Sequence, residues 1–293
     1  MAIPNWIHLT KVQGTSGITN VTVEADENTT DSGRSYTLTV SAGTEPDDVV
    51  RRTVEITQAP VDFKSRYLTF KVTSGGTLTF THNRTLVSDV GNLTIQYRIN
   101  KGSWSSLTTS TAGTTVNVST NDVVEFKGDN VKYGSLPLSY TTLSGSTAEF
   151  EAYGNMMSLI DSTNFATKTD ITEQYCFNRF FAGSKITTAR FLILSTITLP
   201  MHCYTSMFQN CTLLTTAPEL PNCVMDNSCC NEMYNGCSSL NYIRCYATDI
   251  SAYRCTYNWV TGVAASGTFV KNASTTWESG NSGIPAGWTI VNK

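Results

Sequence analysis

Charge is scarce in this chain: 15% of its 293 residues are Asp, Glu, Lys or Arg, against about 25% in ordinary soluble domains. Ser, Thr, Asn and Gly fill the deficit, a composition that suits β-strands and loops better than helices. The net charge of −3 is not gathered anywhere. Residues 1–60 carry four Lys/Arg against eight Asp/Glu, residues 61–153 eight against seven, and residues 154–293 eight against eight. No region therefore offers the basic face that nucleic acid requires. Long apolar runs are missing too. The longest, Phe191-Leu192-Ile193-Leu194, falls far short of the ~20 residues of a helical membrane span, so no membrane insertion is expected. The start Met1-Ala2-Ile3-Pro4-Asn5-Trp6 has no basic region, no apolar core of signal-peptide length and no early Cys for lipidation. The expectation is either a removed export signal or a protein made in the cytosol that leaves by another route.

Histidine is nearly absent. His8, His82 and His202 fall in three different regions, so spacing proposes no His-x-x-x-His or Cys–His pair. Neither a Gly-x-Ser-x-Gly elbow nor a phosphate-cradling Gly loop occurs. Acidic residues are sparse in the C-terminal half and recur at no equivalent repeat position, and Asp47-Asp48 reads as a solvated turn. Paired glycosidase carboxylates converge only in space and leave no mark of this kind. The reading is a non-enzyme with no cofactor and no metal.

What is present is a repeat. Tyr175-Cys176-Phe177-Asn178-Arg179-Phe180-Phe181, His202-Cys203-Tyr204-Thr205-Ser206-Met207-Phe208 and Ser228-Cys229-Cys230-Asn231-Glu232-Met233-Tyr234 superpose at offsets of 27 and 26. Ser184, Cys211 and Cys237 form a second ladder, and Ile186, Leu214 and Leu240 a third. Such a period lies in the ~20–29 residue range of leucine-rich units, each too small to bury its own apolar face and stacked on the next. All nine Cys fall between 176 and 255. Cys176, Cys203, Cys229, Cys211 and Cys237 sit at equivalent positions and read as a column of buried, weakly polar side chains. Structural disulfides are the competing reading, and the spacing 223-229-230-237 lacks the paired Cys-x-x-Cys of a zinc site. Cys223, Cys230 and Cys255 stand outside the ladders. Cys230, following a ladder Cys, is expected to face outward as an exposed thiol or intermolecular link.

Upstream, Ile18, Val21 and Val23, then Tyr36, Leu38 and Val40, then Val54 and Ile56 alternate as three strands around a core that Trp6 is expected to plug. The order Trp6-Ile7, Val21-Thr22-Val23, Arg34-Ser35 leading into Tyr36–Val40, and Val54-Glu55-Ile56-Thr57-Gln58 resembles the BACON domain. This immunoglobulin-like module is abundant in gut Bacteroidetes and their phages. Ala59-Pro60-Val61-Asp62 is a linker. Leu68/Phe70/Val72, Leu78/Phe80, Ile95/Tyr97/Ile99, the turn Asn100-Lys101-Gly102, Val116/Val118 and Val123/Phe126 then read as a second β-sandwich. Met156–Ile160 is expected to be a lead-in strand or cap over the first open face of the stack.

The segments Met207–Pro221 and Met233–Leu240 resemble the BspA type of leucine-rich repeat. Asn258–Val263, Gly267–Lys271 and Gly283–Ile290 resemble the C-terminal cap of the same proteins. With Ser184 in place of Cys and Arg190 where the next unit has Pro218, the stack is expected to hold about three units. The fold class is mostly β: an Ig-like β-sandwich (1–60), a second β-sandwich (61–153), and a short BspA-like leucine-rich-repeat solenoid (154–262) with its cap (263–293). Together these resemblances imply a non-enzymatic phage virion protein of capsid or tail-fibre type. It would contact other virion proteins through its N-terminal domain and a host-surface glycan or protein through its repeats, as a homo-oligomer with a trimer as the guess. The alternative is a bacterial cell-surface adhesin or carbohydrate-binding protein. Aromatic faces stack on sugar rings, which makes Trp104, Tyr204, Tyr234, Tyr242 and Trp259 the candidate contacts. Core packing is the competing role, most strongly for Trp104 and Tyr234.

Overall fold

Thr alternating with Val, Leu and Phe suits a pleated surface that is buried on one face, and strands dominate the structure. The computed structural model describes residues 3–9, 23–25, 32–42, 50–84, 91–194 and 197–293. The chain divides into two compact units, Met1–Asp62 and Phe63–Lys293.

In the first unit, β1 (Ile7–Leu9) pairs antiparallel with β2 (Val23–Ala25). A hairpin joins β3 (Arg34–Ala42) to β4 (Val50–Gln58), in register from Arg34↔Gln58 to Ala42↔Val50. Ile7 and Leu38 are buried. Trp6, expected to plug the core, is only half-buried, with the Arg34 guanidinium over its ring at 4.3 Å. The strand positions expected at Ile18 and Val21 lie outside the described residues.

The second unit opens with a 3-10 turn at Phe63–Ser65. Ten strands follow: β5 (Leu68–Ser74), β6 (Gly76–Asn83), β7 (Thr94–Ile99), β8 (Ser105–Thr108), β9 (Thr114–Val118), β10 (Val123–Lys127), β11 (Gly134–Leu136), β12 (Ser139–Thr142), β13 (Glu149–Asn155) and β14 (Ile186–Ile193). They form a six-stranded sheet, β14-β13-β5-β10-β7-β8, and a four-stranded sheet, β11-β12-β6-β9. The sheets share a core in which Phe70 meets Phe150 at 4.4 Å and Phe126 at 4.8 Å within one sheet. Phe80 reaches Phe126 from the other at 5.5 Å. At the turn after β7, Asn100 and Lys101 both have positive φ, as tight hairpin turns with a matching twist demand.

Beyond β13 the sheet turns parallel, with β14 laid alongside it, and the repeat begins. The chain here is a series of turns. A left-handed residue recurs every four positions: Tyr175, Arg179 and Gly183; His202, Ser206 and Asn210; Ser228, Glu232 and Gly236; Arg254, Asn258 and Gly262. The last triplet is a fourth unit, one more than the ladders of the sequence suggest. Successive N–H groups alternate in destination. Those of Cys203, Thr205, Met207, Gln209 and Cys211 close four-residue turns within their unit, whereas those of His202, Tyr204, Ser206, Phe208 and Asn210 bond carbonyls of the next. The interfaces on either side repeat the same pattern.

Both ends of the stack are met. Tyr133 N–H donates to Cys176 O and Leu143 N–H to Phe180 O, so the sandwich stands in for a preceding unit. Met156–Leu159, expected as a strand or cap, is a buried 3-10 turn tied instead into the sandwich by Ser158, whose Oγ donates to Phe126 O at 3.0 Å. At the far end Val260 N–H donates to Asn281 O and Asn258 N–H to Ser282 Oγ.

The other sides of each unit are short parallel ladders. β15 (Thr198–Leu199) pairs with β16 (Val224–Met225), and β17 (Tyr242–Cys245), β18 (Thr268–Lys271) and β19 (Thr289–Asn292) form a three-stranded sheet. Bridges such as Thr216↔Tyr242 and Ile193↔Glu219 carry the same register between units. Inside, Phe181, Phe208 and Tyr234 stack at 5.1 and 5.7 Å, and Trp259 follows Tyr234 at 5.8 Å with its ring tilted by 48°. Buried apolar side chains from Leu68 to Trp288 make one contiguous core, so residues 63–153 and 154–293 are packed together.

Two substitutions probe this arrangement. Phe208→Ala empties the middle of the aromatic column and is expected to cost about 3–5 kcal/mol. Gly236→Ala forces a Cβ at φ 80° against Asn210 Oδ1 and is expected to cost about 1–3 kcal/mol. Guanidinium titration followed by Trp fluorescence measures both; an unchanged midpoint for either contradicts the packing described.

Candidate binding cleft

The fourth unit and the tail that covers it enclose a cleft of about 460 Å³. One wall follows β17. Thr248 N–H donates to Cys223 O, and Asp249 bridges Val224. The Asp249 carboxylate then accepts the Ser251 N–H at 2.9 Å, which holds it below the usual carboxylate range despite full exposure. The opposite wall is the loop after β18. Asn272 Oδ1 caps Ser274 through its N–H and hydroxyl at 3.0 and 2.8 Å. Lys271 Nζ donates to the carbonyls of Asn272 and Thr275, and buried Thr275 anchors the loop by donating to Ala247 O at 2.7 Å. Thr256 Oγ1 donates to Ser282 O and joins the two walls.

Trp277 lies between them. Its indole stacks on Trp259 at 5.2 Å and 13°, so the aromatic column that runs through the stack ends on a ring that lines the cleft. Trp259 Nε1–H donates to Gly283 O and Trp288 Nε1–H to Ala264 O. Trp277 Nε1–H is buried without a partner. Exposed Thr248, Ser251, Ser274, Thr276 and Ser282 surround the ring with hydroxyls, beside the carboxylates of Asp249 and Glu278. Such a lining can accept and donate hydrogen bonds around a flat apolar face. It holds no imidazole, thiol or amine.

The aromatics singled out in the sequence lie elsewhere. Tyr204, Tyr234 and Trp259 are fully buried; they are stack interior, and none presents a face to a sugar. Burial pushes the phenols of Tyr204 and Tyr234 up, and Tyr234 Oη has no partner. Tyr242 is half-buried at the start of β17. Trp104 is half-buried on the six-stranded sheet, with Arg98 and Lys127 over its ring at 4.7 and 4.4 Å and Tyr67 edge-on at 5.3 Å. Glu125 holds Arg98 at 2.6 Å. Sequence reasoning passed over Trp277. Its signal was a Trp set in Asn272-Ala273-Ser274-Thr275-Thr276-Trp277-Glu278-Ser279, a polar loop in which no apolar pattern accounts for it.

All nine thiols are free and buried. Cys211 Sγ donates to Phe181 O at 3.0 Å and Cys237 Sγ to Phe208 O at 2.9 Å, so this ladder position ties each unit to the one before it. Cys176, Cys203 and Cys229 form the other column, and Cys255, at the same offset in the fourth unit, extends it. Cys230, expected to face outward, is buried with its sulfur 3.8 Å from that of Cys229. Neighbours in a strand point apart, but these neighbours sit in a turn. Burial pushes Cys211 and Cys223 up to about 12 and raises Cys176, Cys203 and Cys237.

Within the first unit, Arg34 Nε donates to Gln58 Oε1 at 2.6 Å while its guanidinium covers Trp6, so three residues that carry the sequence resemblance meet. Residues 3–59 match the family model BACON, described as "Putative binding domain, N-terminal". No curated protein and no solved structure matches the chain.

Protonated, enclosed thiols do not react. Native protein at pH 8 is expected to give no fast reaction with a colorimetric disulfide reagent and all nine thiols in guanidinium; a rapidly titrating thiol in the native protein contradicts the burial. Because Cys176, Cys203, Cys211, Cys223, Cys230, Cys237, Cys245 and Cys255 ionise later folded than unfolded, where thiols ionise at about 8.5, stability is expected to fall as pH rises through that value.

Proposed function

We propose that the chain is a non-enzymatic display protein whose cleft beside Trp277 engages a glycan of a host or cell surface. The observation that carries this reading is the end of the aromatic column: a partly exposed indole lining a hydroxyl-rich cleft. Sugar rings offer C–H faces for the indole and hydroxyls for the Ser and Thr side chains around it. On this reading residues 1–60 are an immunoglobulin-like BACON domain, residues 61–153 a β-sandwich, and the stacked units a BspA-type leucine-rich-repeat solenoid with its cap. The 26-residue register and the capped fourth unit support that assignment.

The setting we favour is a phage virion, where the protein decorates a capsid or tail fibre and docks on other virion proteins through its N-terminal domain. A bacterial cell-surface adhesin is the second setting for the same cleft. Fibrous decorations are symmetric assemblies, and a homo-oligomer, with a trimer as the first guess, goes with either.

A glycan array probed with the wild type and with Trp277→Ala tests the binding reading. Selective binding that the substitution reduces by at least about tenfold is expected; no binding by the wild type, or equal binding by both, overturns it. Mass spectrometry of purified virions separates the settings. Finding the chain in the particle supports the first, and its recovery only from bacterial envelopes supports the second.

A further inference from the structure

We propose that β19 is the contact strand of a two-fold dimer, in which it pairs antiparallel with β19 of a second copy of this chain. The three-stranded parallel sheet β17-β18-β19 ends on this strand. Thr289 N–H donates to Gly267 O and Lys293 N–H to Lys271 O, so alternate residues of β19 face β18. The N–H and C=O groups of Ile290 and Asn292 point the opposite way, and no partner meets them among the described residues. All four residues of the strand are exposed, Ile290 at 50% and Val291 at 37%. An open edge of this kind is a template for another strand. The usual guards are missing: Thr289-Ile290-Val291-Asn292 holds no charge, no Pro and no break in register. The edge strands β8 and β9 of the sandwich, by contrast, expose only Ser, Thr and Asn side chains.

The edge also selects its occupant. Head-to-tail growth would need a matching open edge at the near end of the stack, and there β13 already lies against β14. What remains is closure by the same strand of a second copy about a two-fold axis. Centring the axis on Val291 sets Ile290 opposite the partner's Asn292, and Asn292 opposite the partner's Ile290. Each pair joins outward-facing groups and exchanges both of its N–H···O bonds. Val291 then meets the partner's Val291 in the non-bonded pair at the centre, where side chains approach most closely. Lys293, the charged residue next to the strand, falls opposite the partner's Thr289, so no like charges face one another. A shift by one residue turns outward groups against inward-bonded ones, and a shift by two pairs Ile290 or Asn292 but not both. The result is one continuous sheet across two stacks. So short an edge is a small contact, and the dimer is expected to form with rising concentration. The contact makes a dimer rather than a trimer and is independent of the glycan reading.

Sedimentation velocity of the full chain over a concentration series tests the contact. The wild type is expected to pass from monomer to dimer as concentration rises. Ile290→Pro removes an outward N–H and no bond to β18, and Val291→Lys sets two ammonium groups opposite each other at the axis. Each is expected to weaken dimerisation at least about tenfold. Val291→Glu is expected to do the same alone and to recover the dimer when mixed with Val291→Lys, a result that requires residue 291 to face its own copy. Thermal melts that match the wild type show that each variant keeps its fold. A wild type that stays monomeric at the highest concentration overturns the proposal. So does a dimer or trimer indifferent to both substitutions, or a mixture of the Lys and Glu variants that associates no better than either alone. No saccharide takes part in this measurement, so its failure leaves the reading of the Trp277 cleft standing.

Discussion

The stack from Tyr175 onward depends on where alternate backbone N–H groups point. In each unit one set closes its own turns and the other reaches across to the carbonyls of the next unit. Buried backbone groups must be paired, and this division leaves each unit with a row of acceptors on one side and a row of donors on the other. A stack built this way cannot end on itself. Its first carbonyls take N–H groups from the sandwich at Tyr133 and Leu143, and its last N–H groups find Asn281 and Ser282. The sandwich and the tail are thus the two end pieces that make the stack possible.

The same constraint explains an otherwise costly backbone. Tyr, His, Arg, Ser and Glu occupy left-handed positions that disfavour a Cβ by roughly 1–2 kcal/mol each. The third position of every unit, and Asn258 at the second position of the fourth, use Gly or Asn, the residues that adopt this conformation most readily. The offsetting terms are the shared hydrogen bonds and the enclosed column from Phe181 to Trp259, where each fully buried large side chain contributes about 1.5–3 kcal/mol. Local strain is tolerated because the neighbouring units on both sides fix it.

Much of this was legible in the sequence, and the failures have physical causes. Period, mostly-β character and the inward placing of Cys176, Cys203, Cys211, Cys229 and Cys237 follow from composition and spacing. The fourth unit was harder to see because Asn258-Trp259 carries the aromatic position on a Trp where earlier units have Phe or Tyr. Tyr204, Tyr234 and Trp259 are indistinguishable by residue type from surface aromatics; only the stack shows that they face inward. Cys230 misled because the alternation rule holds for strands, and nothing local marks this segment as a train of turns. Trp277 owes its role to two loops, after β17 and after β18, that meet only in space.

The matched donor and acceptor rows have a consequence for how such a chain can change. An extra copy of the 26-residue unit inserted between any two neighbours would meet acceptors on one side and donors on the other, just as the existing units do. Each insertion would lengthen the stack by about 4.8 Å, the spacing of adjacent strands, and leave both end pieces untouched. Reach is therefore a variable that gene duplication can adjust in steps, while the chemistry carried at the tip is inherited unchanged.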